Sequence, residues 1–249
     1  MNDLRERTAL VIGGTHGMGL ATAKLLLDRG ARVLVTGRNA DNIRATQSEL
    51  KSADVLRSDV TRMDDVDAMA RMVEARFGRI DALFIFAGVA ELAPFDAVTE
   101  ESYDRQFAVN TKGAFFTAQR IAPLIDDGGS ITMTTVTPSN ASPTMAVYLA
   151  TKAAVRAFAG GMAAELLDRR IRVNTVAPGF IDTPTLGIAG LSAEKRREFM
   201  AIGDSVTPMR RHGTPEEIAR AALFLAFDAT FTTGVDLPVD GGISQVDAP

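Results

Sequence analysis

Two residues that together suit acid–base catalysis stand four positions apart past the middle of the chain. They are Tyr148 and Lys152, in the alanine-rich stretch YLATK, and residues four apart lie on the same face of a helix. A tyrosine with its ordinary pKa of about 10 is a poor base at neutral pH, but a neighbouring ammonium stabilises the phenolate and lowers that pKa. The pair is a candidate proton donor and acceptor. Ordinary helix packing produces the same spacing, so other motifs must support the interpretation.

A glycine-rich loop near the start of the chain predicts a phosphate site. The sequence GGTHGMG at residues 13–19 follows an apolar stretch and precedes a helical one. Such a turn lets the backbone approach a pyrophosphate, and the helix N-terminus supplies N–H groups and partial positive charge. The spacing is G-x-x-x-G-x-G, wider in its first gap than the general dinucleotide fingerprint. We expect the loop to bind a dinucleotide, the alternative being a tight turn without a ligand, through Gly13, Thr15, His16, Gly17, Met18 and Gly19.

The choice of dinucleotide is indicated by residues 35–39, which read VTGRN. An NAD site usually places Asp or Glu here, about 20 residues past the glycines, against the ribose 2′-hydroxyl. No acid is present, and Arg38 offers a guanidinium that suits a 2′-phosphate. His16 could add a second donor. We therefore expect NADP(H) rather than NAD(H), the alternative being that Arg38 is an ordinary solvated surface residue.

Strand-like and helix-like segments alternate along the whole chain. Nearly continuous apolar strands separated by helices indicate a parallel sheet covered on both faces. The pattern predicts a single α/β domain over residues 1–249, a doubly wound Rossmann-type fold with about seven parallel strands. We expect strands over residues 8–12, 32–36, 54–58, 82–86, 130–134, 171–176 and 235–239. We expect helices over residues 17–29, 41–51, 64–77, 100–125, 146–168, 192–201 and 215–227, the last with Thr214 as N-cap and Pro215 at its first position.

Composition excludes several classes of function. The net charge is −4 and the pI about 5.3, so nucleic acid is not an expected partner. The absence of cysteine excludes disulfides, thiolate catalysis and Cys-based zinc sites, and His16 and His212 are the only histidines, so no metal site is expected. The first residues do not resemble a signal peptide, and no apolar run reaches the roughly 18 residues that span a membrane. We expect a cytoplasmic protein without a membrane partner.

With these motifs in place, the chain resembles the short-chain dehydrogenase/reductase family, in its compact single-domain branch. The resemblance covers nearly the whole sequence and includes several further motifs in the family's order. They are Asp59-Val60 after the third strand, Asn110 in VNTKG, Asn174 with Pro178-Gly179 after the sixth strand, Thr183 in IDTP, and VDGG at residues 239–242.

The resemblance implies a role for each matching residue. Tyr148 would exchange a proton with the substrate oxygen, and Lys152 would lower the Tyr148 pKa and hold the nicotinamide ribose. Asn110 would fix a water that links Lys152 to solvent. The resemblance further implies cofactor contacts at the adenine from Asp59 and Val60, beside the fourth strand from Ala87 and Gly88, and at the nicotinamide from Pro178, Gly179, Ile181 and Thr183.

Two positions depart from the family pattern. Phe86 stands where the family usually has asparagine, in Phe86-Ala87-Gly88. The family's catalytic serine lies about 13 residues before the tyrosine, and that position is Thr135, or Val136 if the loop is one residue shorter. We expect Thr135 to offer its hydroxyl to the substrate oxygen, although its methyl group restricts its rotamers. Ser139 and Ser142 lie too far along the loop for this role.

These observations predict an NADP(H)-dependent oxidoreductase that interconverts a secondary alcohol and a ketone or aldehyde. The alternative is a degenerate relative that binds dinucleotide as a sensor or scaffold, with little turnover. Residues 185–206 are expected to form a lid, whose apolar side chains suggest an apolar small-molecule substrate or simply pack the lid onto the domain. The family resemblance implies a homotetramer through helices 100–125 and 146–168, with a dimer as the alternative.

Overall fold

A single seven-stranded sheet forms the centre of the computed structural model, which describes residues 3–137, 143–188 and 190–246. All neighbouring strands are parallel, in the order β3-β2-β1-β4-β5-β6-β7. This arrangement confirms the predicted Rossmann-type α/β fold. The strands are β1 (Thr8–Ile12), β2 (Arg32–Gly37), β3 (Asp54–Arg57), β4 (Ile80–Ile85), β5 (Ile125–Thr134), β6 (Arg172–Pro178) and β7 (Asp236–Val239).

Helices cover both faces of this sheet. Side chains alternate along β1, so that Leu10 and Ile12 join one buried cluster while Ala9 and Val11 join the other. No helix in the described part of the chain has the length and apolar character needed to cross a bilayer. The α-helices in these residues are α1 (Gly17–Asp28), α2 (Ala40–Glu49), α3 (Met63–Phe77), α4 (Glu100–Phe107), α5 (Ala114–Ile121), α6 (Ala146–Glu165), α7 (Ala193–Val206) and α8 (Pro215–Leu223).

The helix predicted over residues 100–125 is continuous only to Ile121, and its middle is π-helical rather than α-helical. Helix α4 passes into a π-helical stretch, Ala108–Gly113, before α5 begins. The stretch passes close to Val60, because a Cβ added to Gly113 would lie 2.7 Å from a Val60 methyl. After α5 a single 3₁₀ turn contains Pro123, whose ring cannot continue the helical hydrogen bonds. Strand β5 then starts at Ile125, five residues earlier than predicted.

Other helix ends follow local capping chemistry. The Thr214 side chain accepts from the Glu217 amide and the Glu217 carboxylate accepts from the Thr214 amide, which forms the capping box at the start of α8. Helix α8 ends at Leu223 rather than continuing to residue 227, because a π-helical stretch follows it. Helix α7 extends to Val206 rather than residue 201, and the Ser192 side chain caps its first turn.

The strand order reverses direction between β1 and β4. The loops that follow these two strands meet there, and a Cβ added to Gly13 would lie only 2.6 Å from the Ala87 amide nitrogen. In open α/β sheets, ligands bind in the crevice outside the carboxyl ends of the strands at such a switch point. The fold therefore places the glycine-rich loop at the position where a ligand is expected.

Candidate active site

The main cleft lies at this switch point, above the carboxyl ends of the strands. Apolar side chains from Phe86, Val89, Val136 and Leu186 form part of its wall. Most of the residues predicted from the sequence also line it, namely Gly13, His16, Gly17, Met18, Gly19, Ala87, Gly88, Thr135, Tyr148, Lys152, Pro178, Gly179, Ile181 and Thr183.

The glycine-rich loop has the shape of a phosphate cradle. Gly13 and Gly17 adopt positive φ angles of 72° and 54°, which favour glycine. A Cβ on Gly19 would collide with the Gly13 carbonyl oxygen. Helix α1 starts directly at Gly17, so its free amide groups and the positive end of its dipole lie in the cleft wall. Desolvation lowers the pKa of His16 below its usual value, which favours the neutral ring. These residues fit the diphosphate of a dinucleotide.

The residues expected at the adenosine end lie beyond the cleft wall. Thr15 is buried, and a Cβ on Gly37 would collide with its hydroxyl. Arg38 is exposed. Burial by itself would raise the pKa of Asp59, but hydrogen bonds from Thr61 and the positive charges of Arg38 and Arg62 outweigh it, so the pKa lies below its usual value. Arg38 and Asp59 are therefore close enough to interact.

Val60 contributes to packing in this region. Val60 is 7% exposed, and its side chain belongs to the hydrophobic core and lies against Gly113 of the π-helical stretch. Little of Val60 is therefore left for contact with an adenine.

Tyr148 and Lys152 lie together in the first two turns of α6 and both line the cleft. Lys152 is 5% exposed and donates from Nζ to the Thr134 carbonyl oxygen at 3.0 Å, while Nζ is 5.9 Å from the centre of the Tyr148 ring. Desolvation raises the pKa of Tyr148 to about 12, above its ordinary value rather than below it as the neighbouring lysine led us to expect, and lowers that of Lys152 to about 8. At pH 7 the phenol is therefore protonated and the amine still carries its charge.

Gly88 keeps the approach to Lys152 open. A Cβ at this position would lie 3.3 Å from Lys152 Nζ and 3.4 Å from Asn110 Oδ1. Any side chain here would therefore crowd both functional groups. The small residue expected beside the cofactor is also the one that the local packing requires.

Asn110 uses both ends of its side-chain amide within the protein. Oδ1 accepts from the Val89 amide at 2.8 Å, and Nδ2 donates to the Val89 carbonyl at 2.8 Å and to Thr151 Oγ1 at 3.0 Å. Thr151 in turn donates to the Tyr148 carbonyl at 2.7 Å. The Asn110 side chain, which was expected to hold a water, thus connects the loop after β4 to helix α6. Sequence reasoning missed Thr151, although its place beside Lys152 in the YLATK stretch was a signal.

The Thr135 hydroxyl, predicted to face the substrate oxygen, has a hydrogen-bond partner within the protein. It donates to Asp236 Oδ1 at 2.6 Å, with the Val176 carbonyl 3.2 Å away. A hydroxyl has one proton to donate, so in this structure the Thr135 proton is directed at β7 and not at a substrate oxygen. Sequence reasoning also missed Asp236, for which there was no local signal. Ser139 and Ser142 lie outside the described residues.

The segment after β6 forms the opposite wall of the cleft. The Gly179 amide donates to the Val239 carbonyl at 3.2 Å, and a Cβ on Gly179 would lie 2.8 Å from Asp240 Cα, so only glycine fits there. Ile181 and Thr183 are both nearly buried and line the cleft. Asn174 lies deeper and holds the loop before β7, donating to the Thr232 carbonyl at 3.0 Å.

Comparison with known proteins identifies the family. A family profile described as enoyl-(acyl carrier protein) reductase matches residues 13–244. The oxidoreductase asL5 of Sarocladium schorii is 34% identical over 248 residues, which are 98% of each chain. The chain belongs to the short-chain dehydrogenase/reductase family. The predicted resemblance is thus confirmed, and the protein is an oxidoreductase of a family that acts on alcohol and carbonyl substrates and binds a nicotinamide dinucleotide.

Two further relatives bear on the chemistry of this family. The 2,5-dichloro-2,5-cyclohexadiene-1,4-diol dehydrogenase LinX of Sphingobium indicum is 35% identical over 252 residues, covering 98% of each chain. An NADPH-bound short-chain oxidoreductase from Pseudomonas aeruginosa PAO1, described as containing an atypical catalytic centre, superimposes with a TM-score of 0.87 at 27% identity. That match covers 99% of this chain and all of the other.

Proposed function

We propose that this short-chain dehydrogenase/reductase is NADP(H)-dependent and interconverts a secondary alcohol and a ketone, or an aldehyde and its alcohol. The observation that carries the proposal is the Tyr148–Lys152 pair, which lies at the cleft wall next to the glycine-rich loop. A protonated phenol and a charged amine, one helical turn apart, are suited to proton exchange at a substrate oxygen.

The cofactor half of the cleft would hold the dinucleotide through the loop residues 13–19 and the N-terminus of α1. Arg38 would pair with the 2′-phosphate, since a guanidinium forms strong charge-assisted hydrogen bonds to phosphate. Pro178, Gly179, Ile181 and Thr183 would contact the nicotinamide end. When bound, the nicotinamide supplies or accepts the hydride.

The acid–base part of the reaction belongs to the protein's own side chains. In ketone reduction, the Tyr148 hydroxyl donates its proton to the substrate oxygen as negative charge develops there. In alcohol oxidation, the Tyr148 phenolate accepts the alcohol proton. The Lys152 ammonium and the positive end of α6 both favour the phenolate. Asn110 and Thr151 keep the start of α6 in place against the loop after β4.

The substrate half of the cleft favours a neutral, apolar compound. Val89, Val136 and Leu186 line it, and Lys152 is the only charged residue in the described wall of the cleft. Residues 185–206 would act as a lid, since Ile188 forms a bridge with Ala90 on the opposite side. Because LinX is named for a ring diol, alicyclic secondary alcohols and their ketones are the first compounds to screen.

The proposal is tested by measuring NADPH oxidation with a panel of ketones, for the wild type and for Tyr148→Phe. General acid–base assistance is worth about 10²–10⁴-fold, so kcat of the variant should fall by at least about a hundredfold. NADPH affinity, measured by fluorescence titration, should stay within about threefold, because the ring remains. A Tyr103→Phe control, on the other tyrosine outside the cleft, should keep full activity.

A sensor or scaffold function is the second candidate, and the direction of the Thr135 hydroxyl favours it. If that hydroxyl does not reach the substrate oxygen, Tyr148 alone must hold it. Tight NADPH binding without turnover on any carbonyl or alcohol would support the sensor and contradict the proposed activity. A Tyr148→Phe variant with wild-type turnover would contradict the proposed role of the tyrosine.

A further inference from the structure

A carboxylate outside the cleft wall determines where the Thr135 hydroxyl points. Asp236 Oδ1 accepts from Thr135 Oγ1 at 2.6 Å and from Thr175 Oγ1 at 2.5 Å. Its other oxygen accepts from Arg156 Nε at 2.6 Å, and the Asp236 side chain is only 15% exposed. The carboxylate is thus held from three sides, by β6, by α6 and by the segment after β5.

The segment after β5 makes a second hydrogen bond to a carboxylate two residues further along the chain, at Thr137. Thr137 Oγ1 donates to Asp240, which also accepts from the Ser244 amide at 3.0 Å and the Ser244 hydroxyl at 2.6 Å. The hydroxyls of Thr135 and Thr137 therefore both donate to carboxylates: Asp236, in β7, and Asp240, directly after it. The side chain between them, Val136, offers the cleft only methyl groups.

We propose that Asp236 is a positioning residue that fixes the direction of the Thr135 hydroxyl and thereby decides what residue 135 presents to the substrate. The catalytic consequence of this inference rests on the proposed hydride-transfer function, whereas the hydrogen bond between Thr135 and Asp236 does not depend on it. In this structure Thr135 donates to the carboxylate and turns its methyl group away from it. Without that carboxylate, the neutral Val176 carbonyl at 3.2 Å is the remaining acceptor, and rotation of the hydroxyl toward the cleft, where it can hydrogen-bond to the substrate oxygen, no longer breaks a bond to a charged group.

The physical reason lies in the strength of the contact and in the shape of threonine. A hydrogen bond to a charged group is stronger than one between neutral groups. Rotation about the Cα–Cβ bond would break it and bring the methyl group or the Cβ hydrogen, neither of which is a good donor, toward the carboxylate. Arg156 keeps the carboxylate in position, because its guanidinium also donates to the Val136 carbonyl at 3.2 Å.

The catalytic test compares the effect of Thr135→Val in two backgrounds. The substitution removes the hydroxyl at similar volume. We expect it to lower kcat for ketone reduction at least about tenfold more in the Asp236→Ala protein than with Asp236 in place, because only a free hydroxyl can reach the substrate. An equal effect of Thr135→Val in both backgrounds would overturn the proposal.

Two matched variants separate this role from general packing. Thr175→Val removes the other hydroxyl donor to Asp236 and should leave kcat nearly unchanged in both backgrounds, because Thr175 lies outside the described lining of the cleft. Asp236→Asn keeps the side-chain volume but has a single acceptor oxygen, which Arg156 Nε requires, so the amide nitrogen faces Thr135 and the effect of Thr135→Val should be as large as in the Asp236→Ala background. An Asp236→Asn protein in which Thr135→Val has only its wild-type effect would contradict the assigned role of the carboxylate.

A second readout does not depend on turnover. Equilibrium urea unfolding of the wild type, Thr135→Val, Asp236→Ala and the double variant measures the coupling between the two side chains. We expect the coupling to change the unfolding equilibrium constant about tenfold, as for a hydrogen bond to a charged group. Additive effects would overturn the contact itself. If coupling is found but no variant shows turnover, the proposed enzymatic function fails while the position assigned to the hydroxyl stands.

Discussion

At the scale of single residues, Tyr148 and Lys152 are shifted in opposite directions by the same cause. Removal from water disfavours the charged form of each group, which raises the pKa of the phenol to about 12 and lowers that of the amine to about 8. The protein in this state holds a protonated phenol ready to donate. In the proposed reaction this form suits ketone reduction at neutral pH, whereas alcohol oxidation would require that the phenol first lose its proton.

The pH dependence of the two directions should differ. Between pH 6 and pH 7, where Lys152 keeps its charge, kcat/KM for alcohol oxidation should rise with pH, because the phenolate fraction of Tyr148 increases as pH approaches its pKa from below. Over the same range kcat/KM for ketone reduction should stay nearly flat, because the phenol remains protonated. Steady-state assays in both directions check this, with Tyr148→Phe as the control that should lose the slope. An oxidation rate that falls as pH rises would contradict the assignment.

Arg38 should decide the choice between the two nicotinamide dinucleotides. The wild type should bind NADPH more tightly than NADH, and Arg38→Asp should invert the preference. A charge-assisted hydrogen bond is worth roughly 1.5–3 kcal/mol, which corresponds to about ten- to a hundredfold in Kd.

Fluorescence titration with both cofactors measures this preference. Arg44→Asp is the matched control, since it makes the same charge change on α2, where Arg44 pairs with Asp41, and it should leave the preference intact. Equal affinities of the wild type for NADPH and NADH would refute the assigned role of Arg38.

At the scale of elements, the turn from β1 into α1 depends on close backbone contact. A Cβ on Gly19 would collide with the Gly13 carbonyl oxygen, so Gly19→Ala must displace the loop. We expect the Kd for NADPH to rise at least about tenfold, because the loop amides would no longer converge on the phosphates.

The matched control for this substitution lies in the middle of α6. A Cβ on Gly160 meets nothing within 4 Å, so Gly160→Ala should leave NADPH binding unchanged. Titration of both variants with NADPH compares a glycine that has no room for a Cβ with one that has room. Unchanged binding by Gly19→Ala would show that the loop backbone does not hold the phosphates.

The π-helical stretch between α4 and α5 is a second element with a functional position. Such stretches are rare and occur frequently at functional sites. Here the stretch carries Asn110, whose amide contacts both the loop after β4 and helix α6. The irregularity thus places one side chain between the two segments that bear Gly88 and Tyr148.

At the scale of the whole molecule, the outer face of α6 suggests how copies assemble. Thr151, Val155 and Ala159 are buried toward the sheet, while small residues are exposed on the other side, at Ala150, Ala153, Ala157, Gly160, Gly161 and Ala164. The chain's own sheet therefore does not occupy this face, and a smooth helix surface allows another helix to approach closely.

We predict a homotetramer, with a dimer as the alternative, formed in part through this face. Light scattering of the wild type should give a mass near four times 26.5 kDa. Ala157→Arg should reduce the mass without unfolding the chain, because the new side chain extends from an exposed position. Circular dichroism provides the control for folding, and a monomeric wild type would contradict the prediction.

Several features of this protein could be predicted from the sequence because they depend on neighbours in the chain. The glycine-rich turn, the apolar strands, the capping box of α8 and the four-residue spacing of Tyr148 and Lys152 are all short-range patterns. The π-helical stretch inside the helix predicted over residues 100–125 was missed, because its residues suit an ordinary α-helix locally. The π-helical stretch meets Val60, which lies about 50 positions earlier and could not be seen as a neighbour.

Only the tertiary structure decided which oxygen each buried donor faces. Thr135 and Asp236 are 101 positions apart, and the sheet order brings them together by placing β6 between β5 and β7. Asn110 likewise meets Val89 and Thr151 across 21 and 41 positions. The spacing of a motif fixes where a side chain starts, but the direction of its hydrogen bond depends on the acceptors that distant strands place around it.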